Sequence, residues 1–238
     1  MIEIKNLNIA FKRNVILKNI NLKMEPHKIY GVIGKNGAGK TTLLNAIAGG
    51  FPKVKGTIRI NGIDPYSDAT VLDKVCFVRE DMFYAFKTVT VKNYFKSYKI
   101  LYPKFDMSLA FKLATHFKIP LKKTFGNLSN GLQTIVIDLV GMCSMAEIII
   151  FDEPTIGLDA TNRVQFYEIL LQHFATHQQT IIISTHQINE TQNLFNHIVI
   201  VKEGEIAVDS EMDNLDCNPT ELQEYFVELN KGEEFSYD

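Results

Sequence analysis

Cysteine is scarce in this 238-residue chain, and no apolar run is long enough to cross a lipid bilayer. Its three cysteines are widely spaced and form no CxxC pair, so we expect small buried side chains in a reducing compartment. The longest apolar stretch, Ile135 to Ala146, is interrupted by Asp138 and is shorter than the roughly 18 residues that a spanning helix needs. Because the first residues do not predict a secretory signal either, any membrane part should come from another chain.

The chain also lacks a strong charge of either sign. Its formal net charge is −2, with 46% hydrophobic and 22% charged residues, which is ordinary for a globular protein. This balance gives no electrostatic reason to expect nucleic acid as a partner. There is no internal repeat and no low-complexity segment, and the length suits one α/β domain with a smaller lobe.

A glycine-rich stretch from Gly34 to Thr41 matches the pattern G-x-x-x-x-G-K-[ST]. An apolar run precedes it at Ile29–Ile33 and another follows at Thr42–Ala48, as expected for a strand, a turn and a helix. Glycines let backbone N–H groups surround a phosphate, and the start of the helix adds its positive dipole end. In this motif Lys40 reaches the outer phosphates and the Thr41 hydroxyl binds Mg²⁺. The alternative is a glycine-rich turn that binds no ligand.

Apolar patterns on both sides of this loop predict an α/β protein. Two N-terminal strands, around 2–7 and 16–22, should form an antiparallel sheet. Residues 84–142 are mostly helical in pattern, whereas later β-branched runs alternate with helices, as in a parallel sheet covered on both faces. The other predicted strands are 56–62, 75–79, 148–151, 180–184 and 197–201, and the predicted helices are 91–101, 108–117, 130–145, 161–176, 187–195 and 220–229.

Two further stretches carry chemistry. Glu147–Glu153 is a predicted buried strand that ends in two acids, and the carboxyl ends of strands are where open α/β sheets bind ligands. Asp152 would hold Mg²⁺ and Glu153 would polarise the water that attacks the γ-phosphate, with a merely charged strand end as the alternative. Leu128–Gln133 opens a helix with Ser129 at the cap position, which alone indicates only an ordinary N-cap.

The order of these motifs resembles that of the ATP-binding subunits of ABC transporters, from about residue 2 to 215. Gly34–Thr41 is similar to the Walker A motif, Glu147–Glu153 to Walker B, and Leu128–Gln133 stands where the LSGGQ signature belongs. Gly157–Asp159 resembles the D-loop, and Ser184–His186 the switch-histidine loop. The resemblance implies the α/β P-loop fold of ABC ATPases: a parallel-sheet core, an N-terminal antiparallel β subdomain and a helical subdomain.

In that family two subunits pack head to tail around two ATP molecules. By this resemblance Ser129 and Gly131 would bind the γ-phosphate of the partner's ATP, and His186 would sense the γ-phosphate of the chain's own ATP. The catalytic residues would be Glu153, His186 and Lys40. The Mg²⁺ ligands would be Thr41, Glu80 and Asp152. The ATP-binding residues would be Phe11, Gly34, Asn36, Gly37, Ala38, Gly39, Lys40, Thr41, Thr42, Ser129, Gly131 and Asp159.

Three departures from the family pattern matter. Glu80 replaces the usual Gln of the Q-loop and adds negative charge beside the other acids, so we expect an altered Mg²⁺ dependence. The signature has Asn130 for a Gly and Leu132 for the usual Gln, which weakens it. Phe11 stands for the Tyr that stacks on adenine, a role that needs only a π face, and a packed hairpin aromatic is the alternative.

The resemblance implies an ATPase that powers a transporter, docked on separate membrane subunits at the cytoplasmic side of the cell membrane. The aromatic stretch Met82–Phe86 would contribute to that contact, with a core position as the alternative for some of its rings. The sequence is most similar in style to small exporter-type ATPases, including those of phenol-soluble-modulin and antimicrobial peptide exporters. One domain would span 1–238, with 1–83 and 143–215 as core plus β subdomain, 84–142 as helical subdomain and 216–238 as a helical tail.

Other classes of function stay open to different degrees. A DNA-repair ABC protein needs a long coiled coil between Walker A and the signature, and a translation factor needs two cassettes, so neither fits this chain. A nucleotide-gated scaffold or regulator with little turnover is the remaining rival. His173 and His177 are four apart on a predicted helix, and without a nearby third ligand we expect a solvated helix face rather than a metal site.

Overall fold

The computed structural model describes residues 1–79, 87–188, 191, 193–215 and 221–229. The sequence predictions for Glu80 and for Met82–Phe86 fall outside these ranges. Among the described residues, no helix has both the length and the hydropathy that crossing a bilayer requires.

An antiparallel sheet of three strands begins the chain. Its order is β2-β1-β4, and buried apolar side chains alternate along β1 with more exposed polar ones, because only one face of this sheet packs on the core. This confirms the predicted N-terminal sheet and adds the third strand to it. The strands are β1 (Ile2–Phe11), β2 (Asn14–Met24) and β4 (Lys55–Ile60).

A second sheet of six strands has the order β5-β6-β7-β3-β8-β9. All neighbouring strands are parallel except the hairpin β8–β9, which is antiparallel. The parallel strands are short and apolar because both of their faces are covered. The strands are β3 (Ile29–Ile33), β5 (Val75–Val78), β6 (Ile148–Asp152), β7 (Thr180–Thr185), β8 (His197–Lys202) and β9 (Glu205–Glu211).

The described part of the chain contains six α-helices, and capping residues explain where several of them begin. Thr90, Asp106, Ser129 and Asp159 each accept a hydrogen bond from a backbone N–H of the helix that follows, which satisfies one of the exposed donors of the first turn. The helices are α1 (Lys40–Ile47), α2 (Val91–Leu101), α3 (Met107–His116), α4 (Asn130–Cys143), α5 (Ala160–His177) and α6 (Leu222–Leu229).

Two hydrophobic layers lie on opposite faces of the parallel sheet. In β6, Ile149 and Phe151 face the layer formed with α2, α3, α4 and α5, whereas Ile148 and Ile150 face α1 and the antiparallel sheet. Successive side chains of a strand point to opposite faces, so the continuous apolar runs of the sequence build both layers at once. The structure therefore confirms the α/β architecture. The limits of the helical subdomain at 84 and 142 stay a prediction.

The predicted helix over 187–195 is wrong for the residues of this stretch that the structure describes. Thr191 N–H bonds to Ile188 O and Leu194 N–H bonds to Thr191 O, which are the i→i−3 bonds of turns and not of an α-helix. Phe195 packs so tightly on β3 that a Cβ at Gly31 would lie 2.6 Å from its ring. The apolar side chains that suggested a helix here are therefore buried by tertiary packing instead.

Candidate functional site

The glycine-rich loop joins β3 to α1, as its sequence predicts. Gly37 and Gly39 have φ values of 82° and 109°, a region that glycine enters without steric cost. Gly34 is needed for a different reason, because a Cβ on it would lie 2.5 Å from the carbonyl oxygen of Val201. Gly39 precedes α1 with no side-chain cap, so the N–H groups of the first turn point toward the space that an anion would fill.

Lys40 is the buried cation of this loop. Its side chain is only 6% exposed, and its Nζ donates to the carbonyl oxygen of Gly34 at 2.7 Å and of Lys35 at 3.4 Å. The same Nζ lies 3.4 Å from Oε1 of Glu153. A buried ammonium needs such partners, and their oxygens occupy positions that phosphate oxygens would share.

Glu153 brings the end of β6 to the phosphate loop. Besides its ion pair with Lys40, its Oε2 lies 2.8 Å from Nδ1 of His186. Its φ of 54° is unusual for a residue with a Cβ and costs on the order of 1–3 kcal/mol. The structure thus brings all three predicted catalytic residues together in one contact chain, although β3, β6 and β7 are far apart in sequence.

Asp152 is oriented by a residue to which the sequence assigns no role. The hydroxyl of Ser184 donates to Oδ1 of Asp152 and accepts the backbone N–H of Glu153 at 3.0 Å. Asp152 and Ser184 are paired in the parallel register of β6 and β7. The signal for Ser184 is that its hydroxyl lies at the end of β7, the strand beside β6. Only the folded sheet shows that β6 and β7 are neighbours.

The phosphate loop, Glu153 and His186 line an open groove of about 470 Å³. Its walls include the predicted residues Asn36, Gly37, Gly39, Lys40, Thr41, Thr42, Glu153 and His186, together with Ile16, Lys35 and Ile156. Ala38 lies beneath it, where its N–H bonds to Lys35 O at 3.1 Å and closes the loop. Ile16, in β2, is a lining residue that sequence reasoning missed.

Phe11 does not line this groove. Its side chain is 51% exposed at the end of β1, and its ring lies 5.9 Å from the ring of Phe51, centroid to centroid. The stacking of Phe11 on a base therefore stays a prediction.

The signature stretch lies at the start of α4, outside the groove. Ser129 is exposed, and its Oγ accepts the N–H of Leu132 at 3.4 Å. Gly131 lies so close to the D-loop that a Cβ on it would be 3.0 Å from Gly157 O, and Thr134 Oγ1 donates to Ile156 O at 3.2 Å. The structure therefore brings Ser129 and Gly131 to the D-loop but not to the phosphate loop of the same chain.

Comparison with known proteins decides the family. The family model described as "ABC transporter" matches residues 17–156, which contain the phosphate loop, the start of α4 and the end of β6. The chain belongs to the ABC transporter family. It is an ATP-binding ATPase subunit with the ABC ATPase fold.

Curated relatives cover most of this ABC ATPase. An ABC transporter ATP-binding protein of Bacillus subtilis, YtrB, is 28% identical over 90% of this chain and 73% of its own. The zinc uptake ATP-binding protein ZurA of Listeria innocua is 29% identical over 84% of this chain and 82% of its own. The lantibiotic transport ATP-binding protein SrtF of Streptococcus pyogenes is 27% identical, over 90% and 92%. The names of ZurA and SrtF indicate different cargoes, zinc and a lantibiotic.

A solved structure of an ATP-binding cassette supports the fold assignment. It superposes with a TM-score of 0.77 at 22% identity and covers 89% of this chain and 98% of its own. That cassette is described as a dimer in a post-hydrolysis state bound to ADP and phosphate.

Asp159 in the D-loop of this ABC ATPase is the cap of α5. Its Oδ1 accepts the N–H of Asn162 at 2.8 Å, and its Oδ2 accepts the Asn162 amide at 2.8 Å. These bonds lower the pKa of Asp159, so the exposed carboxylate stays ionised at the edge of the site.

Asp138 is an acid of α4 that the sequence shows only as an interruption of an apolar run. Its side chain is buried at 2% exposure, and its Oδ2 has no hydrogen-bond partner among the described residues. Burial raises the pKa of this carboxyl well above its usual range, because a charge is costly away from water. Asp138 lines a small cavity of about 20 Å³ together with Asp152 and Glu153.

The histidine pair on α5 differs from its predicted solvated face. His173 is buried, and its Nε2 lies 2.7 Å from Oε1 of Gln179. Its ring stacks on that of His177, with centroids 4.2 Å apart. Burial lowers the pKa of His173 to about 4. The prediction of a solvated face therefore holds for the exposed His177 and is wrong for His173, which is buried against Gln179.

Proposed function

We propose that this chain powers a transporter by binding and hydrolysing ATP at the groove beside Lys40. The observation that carries the proposal is the contact chain from Lys40 Nζ to Glu153 Oε1 at 3.4 Å and from Glu153 Oε2 to His186 Nδ1 at 2.8 Å. A cation, a carboxylate and an imidazole are thus placed together where the phosphate loop opens. Phosphoryl transfer is promoted by cations that offset phosphate charge and by a side chain that orients the attacking water.

Each of these groups has a role that follows from its position. Lys40 would exchange its contacts with Gly34 O and Lys35 O for phosphate oxygens and offset their charge. Glu153 would accept a hydrogen bond from the attacking water and hold it in line. His186 would keep the Glu153 carboxylate in one orientation, since its Nδ1 is already within hydrogen-bond distance.

The residues around Thr41 and Asp152 fit a Mg²⁺ ion. Thr41 lies in the exposed first turn of α1, and Asp152 presents a carboxylate oriented by Ser184. Mg²⁺ commonly takes one or two protein oxygens and completes its shell with phosphates and water. When bound, the ion would neutralise charge on the β- and γ-phosphates. A contribution from Glu80 remains part of the proposal.

A second ATPase subunit would complete the site. Ser129 and Gly131 are placed on the D-loop side of α4 and away from the groove of their own chain, which suits contact with the ATP of a partner. We infer a head-to-tail dimer, of two copies or of two different chains, that ATP closes and hydrolysis opens. The dimeric ABC cassette described above is the precedent in the family.

Separate membrane subunits would receive this motion at the cytoplasmic face of the cell membrane. We propose the Q-loop region around Glu80 and Met82–Phe86 as the contact. Export of peptides or other amphipathic compounds is the proposed task, and the likeness to SrtF supports it. The likeness to ZurA favours uptake instead, so the direction needs a transport assay.

A nucleotide-gated scaffold is the second candidate. The observation that favours it is the altered signature, in which Asn130 and Leu132 replace the residues of the family pattern. A scaffold would bind ATP and dimerise but would hydrolyse slowly, whereas the transport ATPase would turn over with Mg²⁺.

Purified chain should hydrolyse ATP with Mg²⁺, and Glu153→Gln should lower kcat by at least about 100-fold while it retains ATP and elutes as a dimer. Glu168→Gln, at an exposed position of α5, is the matched control and should behave like the wild type. Turnover that survives Glu153→Gln would contradict the catalytic assignment. Wild-type dimerisation without turnover would favour the scaffold, and co-purification of a polytopic membrane protein would support the transporter.

A further inference from the structure

Arg163 joins two loops of the ATP site. It lies in the first turn of α5, and its Nη2 donates to the carbonyl oxygen of Leu158 at 3.0 Å. Its Nη1 donates to Oε1 of Gln187 at 3.1 Å. Both of these acceptors are neutral oxygens, and the fixed fork of guanidinium donors lets Arg163 bind the two at once.

The first of these loops carries His186. Gln187 follows it directly, and the backbone N–H of Gln187 bonds to Oγ1 of Thr185 at 2.9 Å. The carbonyl of Gln187 accepts the hydroxyl of Thr191 at 3.2 Å. Both the backbone and the side chain of Gln187 are therefore fixed, and this limits the positions that the adjoining His186 can take beside Glu153.

The second loop runs from Glu153 to α5 and contains the D-loop, Gly157–Asp159. The buried Leu158 supplies the carbonyl that Arg163 binds. Two residues earlier, Ile156 O accepts the hydroxyl of Thr134 on α4, and Gly157 O lies against Gly131 of the signature. The D-loop is thus held by the signature end of α4 on one side and by Arg163 on the other.

We propose that Arg163 is a positioning residue that locks the His186 loop to the D-loop, so that a shift of the signature end of α4 reaches the Glu153–His186 pair. The inference rests on the proposed function, because the signature end is expected to contact the ATP of the partner subunit. Arg163 would then couple hydrolysis at one ATP site to occupancy of the other. Hydrogen-bond networks between two sites can carry such coupling, and Arg163 supplies the middle contact of this one.

Arg163→Met removes both donated bonds and keeps an apolar stem of similar reach. It should lower kcat by about 10-fold, as expected when a catalytic pair loses its fixed position, while the Kd for ATP in the Glu153→Gln background stays unchanged. The Hill coefficient for ATP in hydrolysis should fall toward one. Arg163→Lys, which can reach only one acceptor, should restore part of kcat. Arg59→Met, exposed on β4, is the matched control.

Gln187→Met removes the acceptor of the bond from Arg163 Nη1. It tests the same contact if the Arg163 variants fail to fold. It should reproduce the loss in kcat, and the double variant should be no worse than either single one. Unchanged kcat in both single variants, losses that multiply in the double variant, or an equal loss of ATP affinity would each overturn the inference. A wild-type chain without Glu153-dependent ATPase activity would instead overturn the proposed function.

Discussion

The two helix N-termini expected to meet ATP are built in opposite ways. α1 begins after Gly39 with no side-chain cap, and the buried Lys40 lies beside it in contact with Glu153. α4 begins after Ser129, whose exposed hydroxyl already caps the helix. An uncapped helix start leaves its N–H groups for a phosphate, whereas a capped one has satisfied a donor by itself. The first half of the proposed site therefore lies within one chain, and the start of α4 is the half that we propose for the ATP of a partner subunit.

Gly34→Ala should show the largest effect, because it acts on the half that lies within one chain. A Cβ would lie 2.5 Å from Val201 O, so the phosphate loop must shift, and we expect ATP affinity to fall by about 100-fold or more. Titration of the isolated chain with a fluorescent ATP analogue measures this. Gly62→Ala is the control for backbone strain outside the loop, since Gly62 has a φ of 81° and a Cβ there meets no atom within 4 Å. If Gly34→Ala binds ATP as well as Gly62→Ala does, the loop is not the phosphate site.

Ser129→Ala tests the half that awaits a partner. It should lower ATPase activity by about 10-fold, corresponding to roughly 1.4 kcal/mol, with the ATP affinity of the isolated chain unchanged. Loss of the cap also costs about 1 kcal/mol of stability. Thr90→Ala removes a cap bond of the same 3.4 Å length from α2 and controls for that cost. Equal activity in the two variants would count against a role for Ser129 in the partner's site.

Asp138→Asn probes the point where α4 meets the acids of the first half. Since the folded-state pKa of Asp138 is raised, the folded chain holds its proton to higher pH than the unfolded chain does. The buried carboxyl therefore lowers the free energy of unfolding once the pH rises above its ordinary pKa, near 3.8. This loss of stability grows with pH until the pH reaches the folded-state pKa. The variant should be more stable than the wild type by about 1–2 kcal/mol at pH 7, with a smaller gain at pH 4.5. Denaturant unfolding measures it, with the exposed Asp73→Asn as control; a gain independent of pH would contradict this account.

His173→Leu lies outside both halves and should have the smallest effect. The pKa of His173 in the folded chain is lowered to about 4. As the pH falls through about 6.5, the imidazole therefore binds a proton in the unfolded chain before it does so in the folded chain. Stability is then lost between pH 6.5 and 4, and the variant should reduce that loss by about 1 kcal/mol per pH unit. Unfolding curves at pH 7 and 5.5 test this, and the exposed His116→Leu is the control. Equal slopes for wild type and His173→Leu would show that the buried ring does not set the acid limit.

Local patterns predicted much of this protein because their cause is local. The phosphate loop follows from glycines before Lys40, and the strand that carries Glu153 follows from a β-branched run. The cap at Ser129 follows from a side chain that bonds to the next turn. Helix periodicity failed at 187–195, where packing of Phe195 on Gly31 prevails.

What the sequence by itself determined is the set of elements, the family and the identity of the chemical groups. Only the tertiary structure decided which of them meet. The parallel register of β6 and β7 places Ser184 on Asp152, and packing of α4 buries Asp138 beneath the acids. The fork of Arg163 spans two loops that are more than twenty residues apart. Such contacts depend on how strands pair and helices pack, and the free energy of that packing belongs to the whole fold rather than to any one stretch of the sequence.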